Sequence, residues 1–186
     1  MSRTHWKFAR VCGVIAVSIL LYLLLRVKNY SYNANVFLPN AHPNEVWEFV
    51  ADFSNMKHLN PTIEDFKITD EIGNYKHWKY TVEYKEHLSH WPNLPNYAVA
   101  KFSIRADLSQ TDKFFINSLH TTCLINNFLC LDSESEFVFT NGNSSKGAFC
   151  EEKVIYQCPA FFFSFCRREV EYQRKAIMYN LKNHFS

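Results

Sequence analysis

The sequence is poor in glycine and proline, with 4 and 6 in 186 residues. That scarcity excludes collagen-like and low-complexity classes, which need far more of both. It also lacks any long run of Lys or Arg. With 20 basic and 18 acidic residues, the formal net charge is only +2, so a nucleic-acid-binding face is not expected. No internal repeat stands out, which removes solenoids and propellers. There is no Cys-x-x-Cys pair, and so no ordinary zinc framework. Phosphate-loop, nucleophile-elbow and His-Glu-x-x-His patterns are absent as well. No cofactor and no metal is expected. An enzymatic role stays open, with a non-catalytic one preferred. What the chain has in excess is aromatic residues: 17 Phe, 10 Tyr and 4 Trp. They can fill a core or line an apolar cavity.

One apolar run stands apart. Val11 to Leu25 carries no charge, with Arg3, Lys7 and Arg10 before it and Arg26 and Lys28 after it. It is shorter than the ~20 residues of an average spanning helix. Snorkelling of Arg10 and Arg26 would extend its reach, and a thin early-secretory bilayer suits it. A cleaved signal peptide has the same charge order, but no small-x-small site follows the run. A buried core helix would show a polar face, and this run has none. The reading preferred is an uncleaved anchor over 11–27, after a basic flank over 1–10. A polar linker over 28–34 and one domain over 35–186 complete the chain.

The heavier positive charge before the run weakly places the domain in the secretory lumen. Two sequons agree with that side: Asn29-Tyr30-Ser31, close to the bilayer, and Asn143-Ser144-Ser145, in a turn-rich stretch. Localisation is therefore expected to be a single-pass membrane protein of the endoplasmic reticulum or secretory pathway. The cysteines fit that compartment. Asn126-Asn127 makes a two-residue hairpin turn, and counting outward sets Cys123 opposite Cys130. A cross-strand disulfide is possible there, and Cys158 could staple a strand end to Cys166 at a helix start. Cys150 would stay unpaired. The alternative is five buried thiols in a cytosolic domain.

The domain begins with a short strand, Val36-Phe37-Leu38. Pro43 suits the first position of a helix through Asp52, and a second short helix ends at Asn60-Pro61. Glu45 and Asp52 face water or cap. Trp78, Tyr80, Val82 and Tyr84 then alternate with polar residues, the period of a strand with one buried face. Trp91 to Asn96 reads as a loop because of its two prolines. Ala98, Ala100, Phe102, Ile104 and Ala106 form a second inward face whose small side chains leave volume. Further strands cover Phe114–Cys123, Phe128–Thr140 and Ala148–Cys158. A long helix over Ala160–Phe185 presents Phe162, Cys166, Val170, Gln173, Ile177 and Leu181 on one side.

The stretch Val36-Phe37-Leu38, then His42-Pro43-Asn44-Glu45-Val46-Trp47-Glu48-Phe49-Val50-Ala51-Asp52-Phe53, then Asn60-Pro61, resembles the START-like superfamily. This group is also called Bet v 1-like or polyketide cyclase-like. The resemblance spans 35–185, but only 36–61 is specific, and the cysteines are not a family feature. It implies an α+β helix-grip fold. In it, a curved antiparallel sheet of about six or seven strands wraps a long C-terminal helix, here preceded by the transmembrane helix. It also implies a deep cavity between sheet and helix for lipids, sterols or other apolar molecules.

The cavity candidates are Trp78, Tyr80, Ala98, Ala100, Phe102, Ile104, Ser118, His120, Phe162, Cys166, Val170, Gln173 and Ile177. Gln173 would meet a ligand headgroup or bond a backbone carbonyl. His77, His87 and His90 read as a solvated strand end rather than a metal cluster. Three functions compete. The first is binding or transfer of an apolar small molecule at a membrane. The second is a cyclase or isomerase with His120 as general base. The third is an interaction module with a collapsed cavity. The partners expected are an apolar ligand and a membrane, with no nucleic acid.

Overall fold

The computed structural model describes residues 2–74, 77–107, 113–124, 129–142 and 146–186. A helix, α1 (Ser2–Leu25), leads into strand β1 (Val27–Leu38), and two short helices follow, α2 (Pro43–Ala51) and α3 (Phe53–Leu59). Six strands come next: β2 (Ile63–Asn74), β3 (His77–Leu88), β4 (Trp91–Ala106), β5 (Phe114–Leu124), β6 (Leu129–Asn141) and β7 (Ala148–Pro159). A 3₁₀ turn (Ala160–Phe162) opens into the long helix α4 (Phe163–His184). The seven strands form one antiparallel, curved sheet in the order β1-β7-β6-β5-β4-β3-β2. This is the expected α+β arrangement.

Local chemistry explains the helix starts. His42 caps α2, and Glu45 reaches back to the His42 N–H at 3.2 Å, a capping box with Pro43 at the first position. Asp52 caps α3 instead, accepting from the Ser54 N–H at 2.9 Å. Asn60 ends α3 and turns the chain, its Oδ1 accepting from the N–H and hydroxyl of Thr62. The three helices α2, α3 and α4 cover the inner face of the sheet. Val46, Val50, Leu59, Val82, Ile104, Ile116, Phe139, Ile177 and Leu181 meet there, each almost fully buried.

Four boundaries differ from the sequence reading. The stretch 28–34 is no linker but part of β1, paired with β7 from Val27 opposite Pro159 to Leu38 opposite Ala148. Its period-two pattern is carried by Tyr30, Tyr32 and Ala34, and the Asn and Ser between them disguise it. β2 was not foreseen because it does not alternate in hydrophobicity and is exposed beyond Phe66. Trp91–Asn96 is strand, not loop. Among the described residues β4 pairs with β5 from Tyr97 onward, so Pro92 and Pro95 lie outside that pairing. The long helix starts at Phe163, one 3₁₀ turn later than expected.

Two disulfides form, Cys123–Cys130 between β5 and β6 and Cys158–Cys166 between the end of β7 and α4. Cys150 is a buried free thiol, and burial pushes its pKa well up. The disulfides fit an oxidising, extracellular or secretory environment. The proposed Asn126-Asn127 turn and the Asn143 sequon lie outside the described residues. Asn29 is exposed on β1.

Among the described residues, no helix is long and apolar enough to cross a membrane. The uncharged run of α1 rises only about 22 Å at 1.5 Å per residue, against a hydrocarbon core of about 30 Å. Its apolar side chains, among them Val11, Val14, Ile15, Ile19 and Leu23, are nonetheless exposed all round the helix. α1 meets the domain at the 3₁₀ turn, where Ala160 N–H donates to the Arg26 carbonyl at 3.0 Å.

Candidate ligand cavity

A cavity of about 170 Å³ lies between the inner sheet face and α4. Phe53, Met56, Leu88, Phe102, Leu124 and Phe137 supply its apolar wall. Interleaved with them on the same sheet face and on α4 are the polar residues Glu86, Asn96, Ser118, His120, Gln173 and Arg174. Of the residues expected to line it, Phe102, Ser118, His120, Cys166, Val170, Gln173 and Ile177 do so.

The rest are placed elsewhere. Ala98, Ala100 and Ile104 are fully buried and do not line it. The volume above the alanines is core: Phe53 from α3 packs with Phe66, Tyr84 and Phe102 at ring distances of 5.2–5.6 Å. Tyr80 is core too, stacked on Phe102 at 4.8 Å, with its hydroxyl donating to the Ala51 carbonyl at 2.9 Å. Trp78 packs on Tyr80 away from the cavity. Phe162 belongs to the 3₁₀ turn that precedes α4 and is 46% exposed. The helical phase assigned to it from the sequence therefore does not apply.

The polar side is connected. His120 sits between Tyr84 and Ser118, with Tyr84 Oη 3.0 Å from Nδ1 and Ser118 Oγ 2.8 Å from Nε2. Burial, helped by the positive charge of Arg174, pushes the His120 pKa down to about 3, so the imidazole is neutral at pH 7. Glu152, fully buried on β7, pairs with Arg174 and accepts from the Ser135 hydroxyl at 2.6 Å. Gln173 bonds side chains rather than a backbone carbonyl: it contacts Arg174 at 3.3 Å and the Glu86 carboxyl. Glu169 fastens α4 to the turn after β3, accepting from the Ser89 N–H at 2.7 Å and contacting His90 Nδ1 at 3.3 Å. The histidines do not converge, since His77 opens β3 while His87 near its end pairs with Glu64.

Glu86 is the most perturbed acid. Burial raises its pKa to about 7, opposed by Arg174 and by hydrogen bonds from Thr62 and Gln173. A carboxyl raised in the fold favours the fold fully below its unfolded pKa of 4.5, and the benefit is lost as pH rises through about 7. Glu86→Gln should therefore gain on the wild type by about 3 kcal/mol between pH 4.5 and pH 8. Urea unfolding at both pH values measures this, and a pH-independent difference would contradict it.

Sequence reasoning missed Glu86, Asn96, Glu152 and Arg174. Glu86 and Glu152 sit on strand faces that otherwise read as apolar, and a charge breaking such a face was the available signal. Three polar atoms of this region are buried without a partner among the described residues: Asn96 Oδ1, Glu152 Oε2 and Arg174 Nε.

No family model matches the chain, and no curated protein matches it. Solved structures do. A protein from Rhizobium leguminosarum aligns at TM-score 0.56 and 10% identity, over 85% of this chain and 97% of that one. A Helicobacter pylori protein gives 0.56 at 7% identity, over 84% and 88%. A START superfamily protein from Mycobacterium smegmatis gives 0.53 at 10%, over 84% and 96%. The fold is START-like. At these identities the likeness covers the architecture alone: the sheet and the helices that cover it.

Proposed function

We propose that this START-like domain binds one small amphipathic molecule beneath α4, and that α1 holds it at a membrane. The cavity carries the reading. Its lining is largely apolar, and within it stand Asn96 Oδ1 and Arg174 Nε, which have no protein partner among the described residues. An unpartnered buried polar atom costs ~1–3 kcal/mol. A head group that accepts from Arg174 and donates to Asn96 would remove that cost, while an apolar body lies against Phe53, Phe102 and Phe137.

The volume limits the occupant. At about 170 Å³ the cavity is near the size that holds a benzene-sized ring, about 150 Å³, and below the ~300 Å³ of larger ligand sites. A lipid or sterol requires the first half of α4 to move outward. That movement would break the Glu169 contacts to Ser89 and His90 and the Arg174–Glu152 pair, while Glu169 is the one buried residue of this half before Ile177. The Cys158–Cys166 disulfide would act as its pivot. The small volume also favours a second reading, an interaction module with a closed cavity.

A general-base role for His120 is disfavoured. A base whose pKa is about 3 takes up a proton poorly near neutral pH, so the imidazole serves better as a hydrogen-bonding group. For α1, the support is its largely exposed apolar surface between Arg10 and Arg26. Extraction of the full chain from membranes, followed by mass spectrometry of bound small molecules, tests the reading. One co-purifying amphiphile is expected. Its absence, with no uptake from a broad lipid panel, favours the closed module.

A further inference from the structure

One end of the sheet gathers apolar side chains that face water. β7 ends at Pro159, opposite Val27 at the start of β1, so the chain leaves β7 beside the point where it leaves α1. Phe161 and Phe162 follow, 65% and 46% exposed, edge to face at 5.2 Å. One turn on, Phe165 stacks on Trp91 at 5.2 Å, and Trp91 is itself 56% exposed. The Arg168 guanidinium lies 5.4 Å from the Phe165 ring centre. Arg26, Lys28 and Arg167 are exposed at the same end.

We infer that this end is a second membrane contact, which seats Phe161, Phe162 and Trp91 in the interfacial layer of an anionic bilayer. Lys28, Arg167 and Arg168 would then meet lipid phosphates. The inference rests on the reading of α1 as membrane-held and deepens it. α1 passes to β1 across Arg26 alone, and the Arg26 carbonyl is bonded to Ala160. A bilayer that holds α1 therefore lies level with the 3₁₀ turn. Aromatic rings favour the interfacial layer, and cations are drawn to anionic headgroups. Phe165 and Cys166 also line the cavity, so docking brings the cavity wall to the lipid. An amphiphile could then pass between bilayer and cavity without crossing water.

Photocrosslinking of the full chain in vesicles tests this. Benzoylphenylalanine replaces Ile15, Phe161 or Ile72, which are 53%, 65% and 70% exposed, so packing is spared. Ile72 is near the opposite end of the sheet, next to the β2–β3 turn. The vesicles are phosphatidylcholine with about one-third phosphatidylserine. Lipid adducts are expected at Ile15 and at Phe161, the latter about tenfold above Ile72. Arg167→Gln with Arg168→Gln should lower the Phe161 adduct about tenfold. Adducts at Ile15 with Phe161 at the level of Ile72 would overturn the docking face and leave α1 as anchor. No adduct at Ile15 would overturn both. A Phe161 adduct unchanged by the arginine substitutions would overturn the electrostatic half.

Discussion

His120→Gln is expected to gain about 3 kcal/mol on the wild type as the pH falls from 7 to 4.5. The cause is the depth of the imidazole. Its pKa stands near 3 in the fold, against 6.5 when unfolded, because burial and Arg174 oppose its charge. A base depressed in this way stabilises the fold fully above pH 6.5, and that stability is lost as pH falls towards 3. Glu86 slopes the other way, from its unfolded pKa of 4.5 to about 7. The two effects offset each other between about pH 4.5 and 6.5, so the wild-type profile should be nearly flat there. Each single variant removes one slope and exposes the other. Urea unfolding of the full chain in mild detergent at several pH values measures both. A His120→Gln profile parallel to wild type would show that the ring reaches solvent.

Arg174→Met should cost about 3–5 kcal/mol, because it leaves the Glu152 carboxylate buried and uncompensated. Glu152 is fully buried, and the Ser135 hydroxyl would remain as its one short contact. Adding Glu152→Leu removes the stranded charge, and the double variant should recover most of the loss. A double variant as unstable as Arg174→Met would mean that the arginine acts through packing instead. The pair is a weak source of net stability, since each partner is desolvated to form it. Its place next to a cavity fits a role in orienting a bound head group.

Much of the architecture was legible from the chain. Pro43 at the first helical position, the alternation from Trp78 to Tyr84 and the stripe of α4 each follow from local rules, whereas the His42 cap was not read. Both disulfides had been possible pairings, beside an alternative of five free thiols, and the structure forms them. β2 was hidden because an edge strand exposed on both faces has no reason to alternate. The strand from Val27 was hidden by its Asn and Ser residues. The cavity was only half legible. Phase along a strand tells which side chains point inward, but not which of them a neighbouring helix then covers. Phe53 on α3 packs on Tyr84 and Phe102 beside the alanines, while Glu86 and Asn96 are cross-strand partners on β3 and β4 that Arg174 joins from α4, a pairing hidden because Trp91–Asn96 reads as a loop.

The central claim is that the space beneath α4 holds a ligand. Val170 lines it from the helix side, so Val170→Trp should fill it. The deciding measurement is the titration of a graded panel of amphiphilic probes, from single-ring phenols and amides up to fluorescent fatty acids and sterols, into the full chain and into Val170→Trp, both in the same detergent. The account predicts saturable one-to-one binding of at least one probe to the wild type and its loss in Val170→Trp. Equal binding by both proteins, or saturable binding by neither, would contradict it.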